Sequence, residues 1–527
     1  MFIICVDMSC FGSNGHCRRW WYFVVVCFLI GAIGLITVSI IWQEGKSHVK
    51  YSLVFDAGSS HTEIFIFTWE GSKTNGTAVV RQTNNLRTKA KGIHHFSDDP
   101  SLAGESMKPY LDFANKHVPE SKISTTAIYL GATAGMRILS MTNKSASDAI
   151  LASIRDVFKN SGFLFVKPEH QVRILNGSEE GIFSWITANY LKGYLGLKFH
   201  SPIPYLLEKS APLTYGALDM GGASTQIAFV PAVDVKMPAN NSLSFQLYGH
   251  PLTVYAHSYL CYGIDQTILR YKAQLVLNNS KHSIIENPCW QNGSRKNESK
   301  TNLFQRPCTS VPPSMKVADS YEFIGTGEFE KCQKSILGLF DFTNCPFGNS
   351  CSFNKVYEPP IKDKHFYAFS TYYYTASFLN LTRNNDTFSL EEYNDAIEDW
   401  CKLSWDEASI VPGLSISILR EVCFEAVYIK TILTKGYHFD NSSWNSLHFT
   451  NKVANTNMGW TLGFMLYTSN EIPAETSSLG LTTFILLAVL FILFIFLSIG
   501  FAIVAKRETP AIDSYDKAPD YGSTAVA

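Results

Sequence analysis

Charge is scarce in this chain of 527 residues. Only 17% of them are Asp, Glu, Lys or Arg, and the formal net charge is −1. A surface so nearly neutral is a poor coat for a polyanion. No basic stretch is interleaved with aromatics, so nucleic acid is not an expected partner. The chain has 12 cysteines but no paired Cys-x-x-Cys knuckles, which argues against structural zinc. No small-residue cleavage site follows the first long apolar run, so that run does not read as a removable signal peptide.

What is present is apolar: 46% of residues are hydrophobic, which fits a folded protein with membrane segments. The length suits two or three domains. Two runs can span a bilayer. The first, Trp20 to Trp42, is bordered by Trp20, Trp21 and Tyr22 at one end and Trp42 at the other, and follows Arg18 and Arg19. The second, Leu481 to Ala505, precedes Lys506 and Arg507. Positive residues favour the cytoplasm. Both termini are therefore expected there, in tails 1–19 and 506–527, with residues 43–480 outside the cell. Ten Asn-x-Ser/Thr sequons fall between the spans: Asn75, Asn143, Asn176, Asn240, Asn278, Asn292, Asn297, Asn380, Asn385 and Asn441. Eight cysteines lie there too, an even number that reads as four disulfides whose pairing spacing leaves open. Cys5, Cys10 and Cys17 are palmitoylation candidates, with free thiols the equal alternative.

The local reading centres on two similar turns. Leu53-Val54-Phe55 reads as a buried strand ending at Asp56, followed by Gly58-Ser59-Ser60-His61-Thr62 and a second strand over Ile64–Phe67. The order recurs 163 residues later: Gly216-Ala217-Leu218, then Asp219-Met220-Gly221-Gly222-Ala223-Ser224-Thr225-Gln226, then a strand over Ile227–Val230. Such a repeat suggests two similar lobes around a ligand cleft. Glycine turns present backbone N–H groups to an anion, and a nearby Asp can orient a hydrated divalent cation. A third element, Glu179-Glu180, follows a short strand at Val172–Leu175 and precedes a helix over Ile182–Leu191. A carboxylate there can accept a proton from water attacking a phosphate, although acids also favour helix starts for electrostatic reasons. Residues 71–100 read as loops, 101–118 as helical, and Ala127–Leu130 as a strand entering Gly131–Arg137.

Five motifs now stand in order: Val54–Thr62, Leu130–Arg137, Gly177–Gly181, Asp219–Gln226 and Gly459-Trp460-Thr461-Leu462-Gly463. In them the chain resembles the cell-surface ectonucleoside triphosphate diphosphohydrolases, the ecto-apyrase family, and the likeness extends to both spans. The resemblance implies an α/β fold of two actin/hexokinase/RNase H-like lobes, the first from 48–168 and 455–476 and the second from 169–454, with a nucleotide cleft between them. It implies hydrolysis of extracellular nucleotides with Ca²⁺ or Mg²⁺ at the plasma membrane. Motif by motif it makes Glu180 the base, with Ser224 and Gln226 holding the water. Asp56 and Asp219 would position the metal through water. Ser59, Ser60, His61, Thr133, Ala134, Gly221, Gly222 and Ala223 would bind phosphates, and Tyr374 would stack on the base. It pairs Cys261 with Cys308, Cys289 with Cys332, Cys345 with Cys351, and Cys401 with Cys423. Two spans per chain leave room for homo-oligomers in the membrane.

Two departures stand out. Ser178 replaces the family's Gln before the Glu pair and creates the Asn176 sequon, which is expected to stay unmodified on a buried turn. The family's extra cysteine pair in the first lobe is also absent, with Asn85-Leu86 and Leu111-Asp112 near the expected places, at a small expected cost in stability. These departures keep open a weakly active or non-catalytic nucleotide-binding glycoprotein. A kinase of the same superfamily is disfavoured by the extracellular setting and by the placement of the Glu.

Overall fold

The computed structural model describes residues 15–44, 49–71, 73–88, 90–195, 214–232, 235, 237–238, 241–383, 385–474 and 480–507. The chain divides into two compact units, one of the terminal segments and one of Val49–Ala474. In the first unit, helices Gly15–Glu44 and Leu481–Arg507 are long and apolar enough to cross a membrane. They pair antiparallel: Trp42 stacks on Phe484, Trp20 on Phe501, and Ser498 Oγ donates to the Val24 carbonyl.

The second unit is mixed α/β. Its first sheet has the order β3-β2-β1-β4-β5, with β1 at Val49–Ala57, β2 at Thr62–Glu70, β3 at Arg81–Arg87, β4 at Ala127–Ala132 and β5 at Val172–Ile174. β1 and β2 form a hairpin, whereas β4 joins β1 in parallel and β5 joins β4 in parallel. The second sheet contains β6 (Gly216–Met220), β7 (Ser224–Phe229), β8 (Ser242–Leu247), β9 (His250–Leu260), β13 (Phe366–Ser370) and β14 (Leu447–Phe449) in the order β14-β13-β6-β7-β9-β8. It repeats the plan: β6 and β7 form a hairpin, and β13 and β14 add in parallel on the β6 side. A small sheet of β10 (Ile284–Asn287), β11 (Arg295–Ser299) and β12 (Ser320–Gly325) lies within the intervening chain.

Strand β3 corrects the expectation of loops over 71–100. It pairs antiparallel with β2 at the sheet edge, and its residues alternate between exposed and half-buried. An edge strand with polar residues on both faces carries no apolar period to read. The helix expected over 101–118 is two helices, Ser101–Glu105 and Lys108–His117. Where the family's cysteine pair would stand, Leu86 and Leu111 pack into one core cluster and Asn85 donates to Glu63 (2.6 Å).

Two helices lie between the sheets, Gly177–Lys192 and Trp460–Ser469. Their apolar residues, Ile182, Trp185, Ile186, Trp460 and Met465 among them, share one core with Val54 and Phe67 of the first sheet and Ala217 and Phe369 of the second. They cross closely because Gly463 has no side chain: a Cβ there would lie 1.9 Å from the Phe183 carbonyl oxygen. The Gly463 N–H donates to Thr187 Oγ1 (2.9 Å).

Four disulfides staple residues 261–423: Cys261–Cys308, Cys289–Cys332, Cys345–Cys351 and Cys401–Cys423. Between them sits a buried charge cluster. Lys272 Nζ meets Glu421 (2.7 Å) and Glu298 (3.4 Å), and Trp290 Nε1 donates to the other Glu421 oxygen (3.0 Å). Removing one partner of a buried pair strands the other charge. Lys272→Ala is therefore expected to cost about 3–5 kcal/mol, read as a lower denaturation midpoint; an unchanged midpoint would refute this.

Candidate active site

The two hairpin turns face each other. Asp56 and Asp219 are each the second-last residue of a strand, β1 and β6, and oppose Glu63 and Gln226 across their hairpins. Gly222 marks the closest approach: a Cβ there would lie 2.8 Å from Ser59 Oγ and 2.3 Å from Asp265 Oδ2. The Gly221–Ala223 turn is fixed from behind, since its carbonyls accept from the N–H groups of Ile264, Gln266 and Cys261. Ser60 Oγ bonds His61 Nδ1 (2.9 Å), and burial lowers the His61 pKa to about 4, so the ring is neutral. Thr133 stands at the N-cap position of the Ala134–Thr142 helix without a side-chain capping bond, and its N–H donates to the Ala57 carbonyl (3.1 Å), which ties this loop to the first.

The Glu pair divides. The helix starts at Gly177, so both acids lie in its first turn, where they are favourable. Glu179 closes a capping box with Asn176 and holds Arg173 through two 2.8 Å bonds. Glu180 turns inward, 8% exposed, and ion-pairs with Arg137. Around Glu180 lies a compact polar network. Gln226 Nε2 is 2.6 Å from Ser224 Oγ, 2.9 Å from Ser258 Oγ and 3.3 Å from Glu180 Oε2. Arg137 also donates to Ser258 (3.1 Å) and Ser224 (3.3 Å). Gly177 is part of this packing, since a Cβ there would lie 2.4 Å from Arg137 Nη1 and from Ser258 Cβ.

Burial raises the pKa of all three acids. It pushes Asp219 to about 7, with Glu180 adding to the rise and the Ser370 and Ser184 hydroxyls opposing it. Asp56 is raised well above its usual range by burial, then by Glu180 and, less, by Asp219. Glu180 is raised by burial and pulled back by Arg137. Asp219 Oδ1 accepts from Ser370 Oγ (2.7 Å), and Ser370 holds a strained φ of 56° at the end of β13. Asp56 Oδ1 is buried with no hydrogen-bond partner. Trp460 lies near enough to influence it, yet neither that oxygen nor Trp460 Nε1 completes a bond.

This donor set fits a hydrated divalent cation. Arg137 pairs with Glu180 and leaves the two aspartates without a cationic partner among the described residues. Hard carboxylate oxygens, one of them orphaned, suit Ca²⁺ or Mg²⁺ that keep their waters. Among the described residues no group of three or more His, Cys, Asp or Glu side chains converges as a metal site.

Other expected residues stand apart from this cluster. Tyr374 is 56% exposed on the Thr371–Phe378 helix that follows Ser370, beside Tyr373. Ser178 Oγ donates to the Ala256 carbonyl (3.4 Å). Asn176 is exposed, not on a buried turn: it is the N-cap, outside the helix, and its side chain accepts from the Ser178 N–H. Asn75, Asn143, Asn278, Asn292, Asn297, Asn380, Asn385 and Asn441 are exposed as well. Asn240, Cys5 and Cys10 lie outside the described residues, as does the Cys17 side chain. Sequence reasoning gave no role to Arg137, Ser184, Ser258, Asp265 or Ser370. Only Arg137 lies in a motif; the others reach the site by long-range packing.

A model of the GDA1/CD39 (nucleoside phosphatase) family matches residues 42–480. The chain is 37% identical to the ectonucleoside triphosphate diphosphohydrolase 1 of Mus musculus, over 88% of this chain and 90% of the relative. It is 39% identical to the ectonucleoside triphosphate diphosphohydrolase 8 of Gallus gallus, over 81% and 84%. A crystal structure of nucleoside triphosphate hydrolases from Neospora caninum shares the fold with a TM-score of 0.62 at 16% identity, covering 86% of this chain and 99% of that one. The two-sheet architecture agrees with the actin/hexokinase type expected. By the extent of that family match and the identity to these relatives, the chain belongs to the GDA1/CD39 family of nucleoside phosphatases.

Proposed function

We propose that this chain hydrolyses nucleoside triphosphates and diphosphates (ATP, ADP, UTP, UDP) to monophosphates and phosphate outside the cell, and so controls purinergic signalling. The observation that carries the reading is the buried Glu180 in contact with Gln226, which also bonds Ser224, beside two facing Asp–glycine turns, in a chain of a nucleoside phosphatase family.

Glu180 takes a proton from water held by Ser224 and Gln226. The water oxygen bonds to the terminal phosphorus as the phosphoanhydride bond breaks. Burial raises the Glu180 pKa and the Arg137 guanidinium opposes that rise, which favours the base form. Ser59, Ser60 and His61, with Thr133, Ala134, Gly221, Gly222 and Ala223, line the phosphate path, and Tyr374 stacks on the base. Asp56 and Asp219 orient a hydrated Ca²⁺ or Mg²⁺. When bound there, such a cation would supply charge neutralisation at the phosphate oxygens. Residues 48–168 with 455–476, and 169–454, act as the two lobes. Both termini are cytoplasmic, and the enzyme sits in the plasma membrane with its catalytic part outside.

The test is a time course of ATP, ADP and AMP in the medium of intact expressing cells with Ca²⁺ or Mg²⁺. ATP should fall, ADP pass through a maximum or stay low, and AMP accumulate. Tight nucleotide binding without phosphate release would instead favour a non-catalytic binding glycoprotein.

A further inference from the structure

The first-residue ends of β6, β13 and β14 carry an aromatic and imidazole cluster away from Asp219 and Ser370, which stand at the far ends of the same strands. Phe366 pairs with Leu447 and with Gly216 in parallel register. Tyr215, His365, Tyr367 and His448 therefore share one face. The Tyr215 ring stacks on His365 at 5.0 Å and lies 5.3 Å from His448. His365 Nδ1 faces His448 Nε2 at 3.1 Å, and His448 Nδ1 meets Asp386 Oδ2 at 3.2 Å. The backbone holds each part. Gly216 N–H donates to the His365 carbonyl (2.7 Å), and Phe449 N–H to the Asp386 carbonyl (2.6 Å).

We propose that His365 and His448 form a binding site for a divalent transition-metal ion, Cu²⁺ or Zn²⁺, with Asp386 orienting His448 and water completing the coordination. Two imidazole nitrogens each about 2.0–2.1 Å from one ion lie about 3.0–3.4 Å apart at ordinary coordination angles. The pair already has that spacing, on strands rather than on a loop. A ligating His commonly gives its other N–H to a carboxylate, which fixes the tautomer. Asp386 supplies that carboxylate to His448 Nδ1 and leaves Nε2 with its lone pair. In the metal-free pair His365 Nδ1–H donates to His448 Nε2. On binding, His365 carries its proton on Nε2 instead, so both facing nitrogens offer lone pairs and no net proton leaves. Nitrogen donors select Cu²⁺ over Zn²⁺, and both over the oxygen-seeking Ca²⁺ and Mg²⁺. This chemistry is distinct from that of the acidic cleft. The Lys192 ammonium, 5.1 Å from the Tyr215 ring centroid, is an opposing charge. Two protein ligands and that neighbour set an affinity below that of a four-ligand structural zinc centre.

The test uses the detergent-solubilised full chain and Cu²⁺ or Zn²⁺ alone, without nucleotide. The wild type should show a Cu²⁺ paramagnetic resonance spectrum with hyperfine splitting from two nitrogens, and should take Zn²⁺ from a competing chromophoric chelator. His365→Ala, at an exposed position, should lose the two-nitrogen signal, and Asp386→Asn should weaken binding about 10–100-fold. A spectrum and affinity unchanged in His365→Ala would overturn the proposal, whether or not the protein hydrolyses nucleotides. Because His448 packs among aromatics, His448→Ala is read only alongside a matched unfolding midpoint.

Discussion

Glu180→Gln is expected to lower kcat for ATP by about 10²–10⁴-fold while leaving nucleotide affinity nearly unchanged. A positioned general base contributes about 10²–10⁴-fold, and the amide cannot accept the proton from water. The exchange keeps side-chain size, so the contacts that Arg137, Gln226 and Ser258 make with one another remain possible. Single-turnover phosphate release reads the chemical step, and binding of a non-hydrolysable nucleotide analogue reads affinity. Asp56→Ala supplies the contrast. It removes a carboxylate with an unpartnered buried oxygen and should raise the divalent-cation concentration needed for half-maximal activity as well as lower the rate. If both variants lost binding to the same extent, the separation of base from metal-orienting group would be wrong.

Arg137→Ala is expected to lower kcat near pH 7 by about 10²-fold, within the range a general base supplies, and to move the acidic limb of the rate profile to higher pH. The sign follows from the two opposing influences on Glu180: burial raises its pKa and Arg137 lowers it. With the guanidinium gone only the rise remains. A smaller fraction of the carboxyl is then ionised at a given pH, and the base form appears only in more alkaline solution. Arg137→Lys should restore part of the shift through its charge. It should not restore the rate, because an ammonium cannot span Glu180, Ser224 and Ser258 with a planar fork. The measurement is kcat against pH for the three proteins. An acidic limb in the same place for all of them would show that Arg137 does not tune the base.

What could be read from the sequence was what local chemistry writes down. Asp56 and Asp219 declare themselves because a strand, an acid and a glycine turn recur in the same order, and the hairpins follow that order in both sheets. The spans are legible by length and apolarity. Ser258 is different. It sits near the end of β9 with no motif around it, and becomes a hub only when Gly177, Arg137 and Gln226 pack onto it. Ser370 is reached through a parallel strand pairing 151 residues away from Asp219, which no local pattern encodes. β3 was hidden because an edge strand satisfies its hydrogen bonds on one side without an apolar face. Asn176 was misjudged because a residue that caps a buried helix lies outside that helix.

The crossing of the two central helices at Gly463 also sets an order of events in biosynthesis. Thr187 and Gly463, bonded at that crossing, are 276 residues apart. The helix that carries Glu180 is made early but has its apolar flank uncovered until the Trp460–Ser469 helix has been synthesised. Contacts of such long sequence separation form late. The unit Val49–Ala474 therefore completes its central core only after Trp460–Ser469 has been made, and a product that stops before Trp460 leaves Phe183 and Trp185 without that cover.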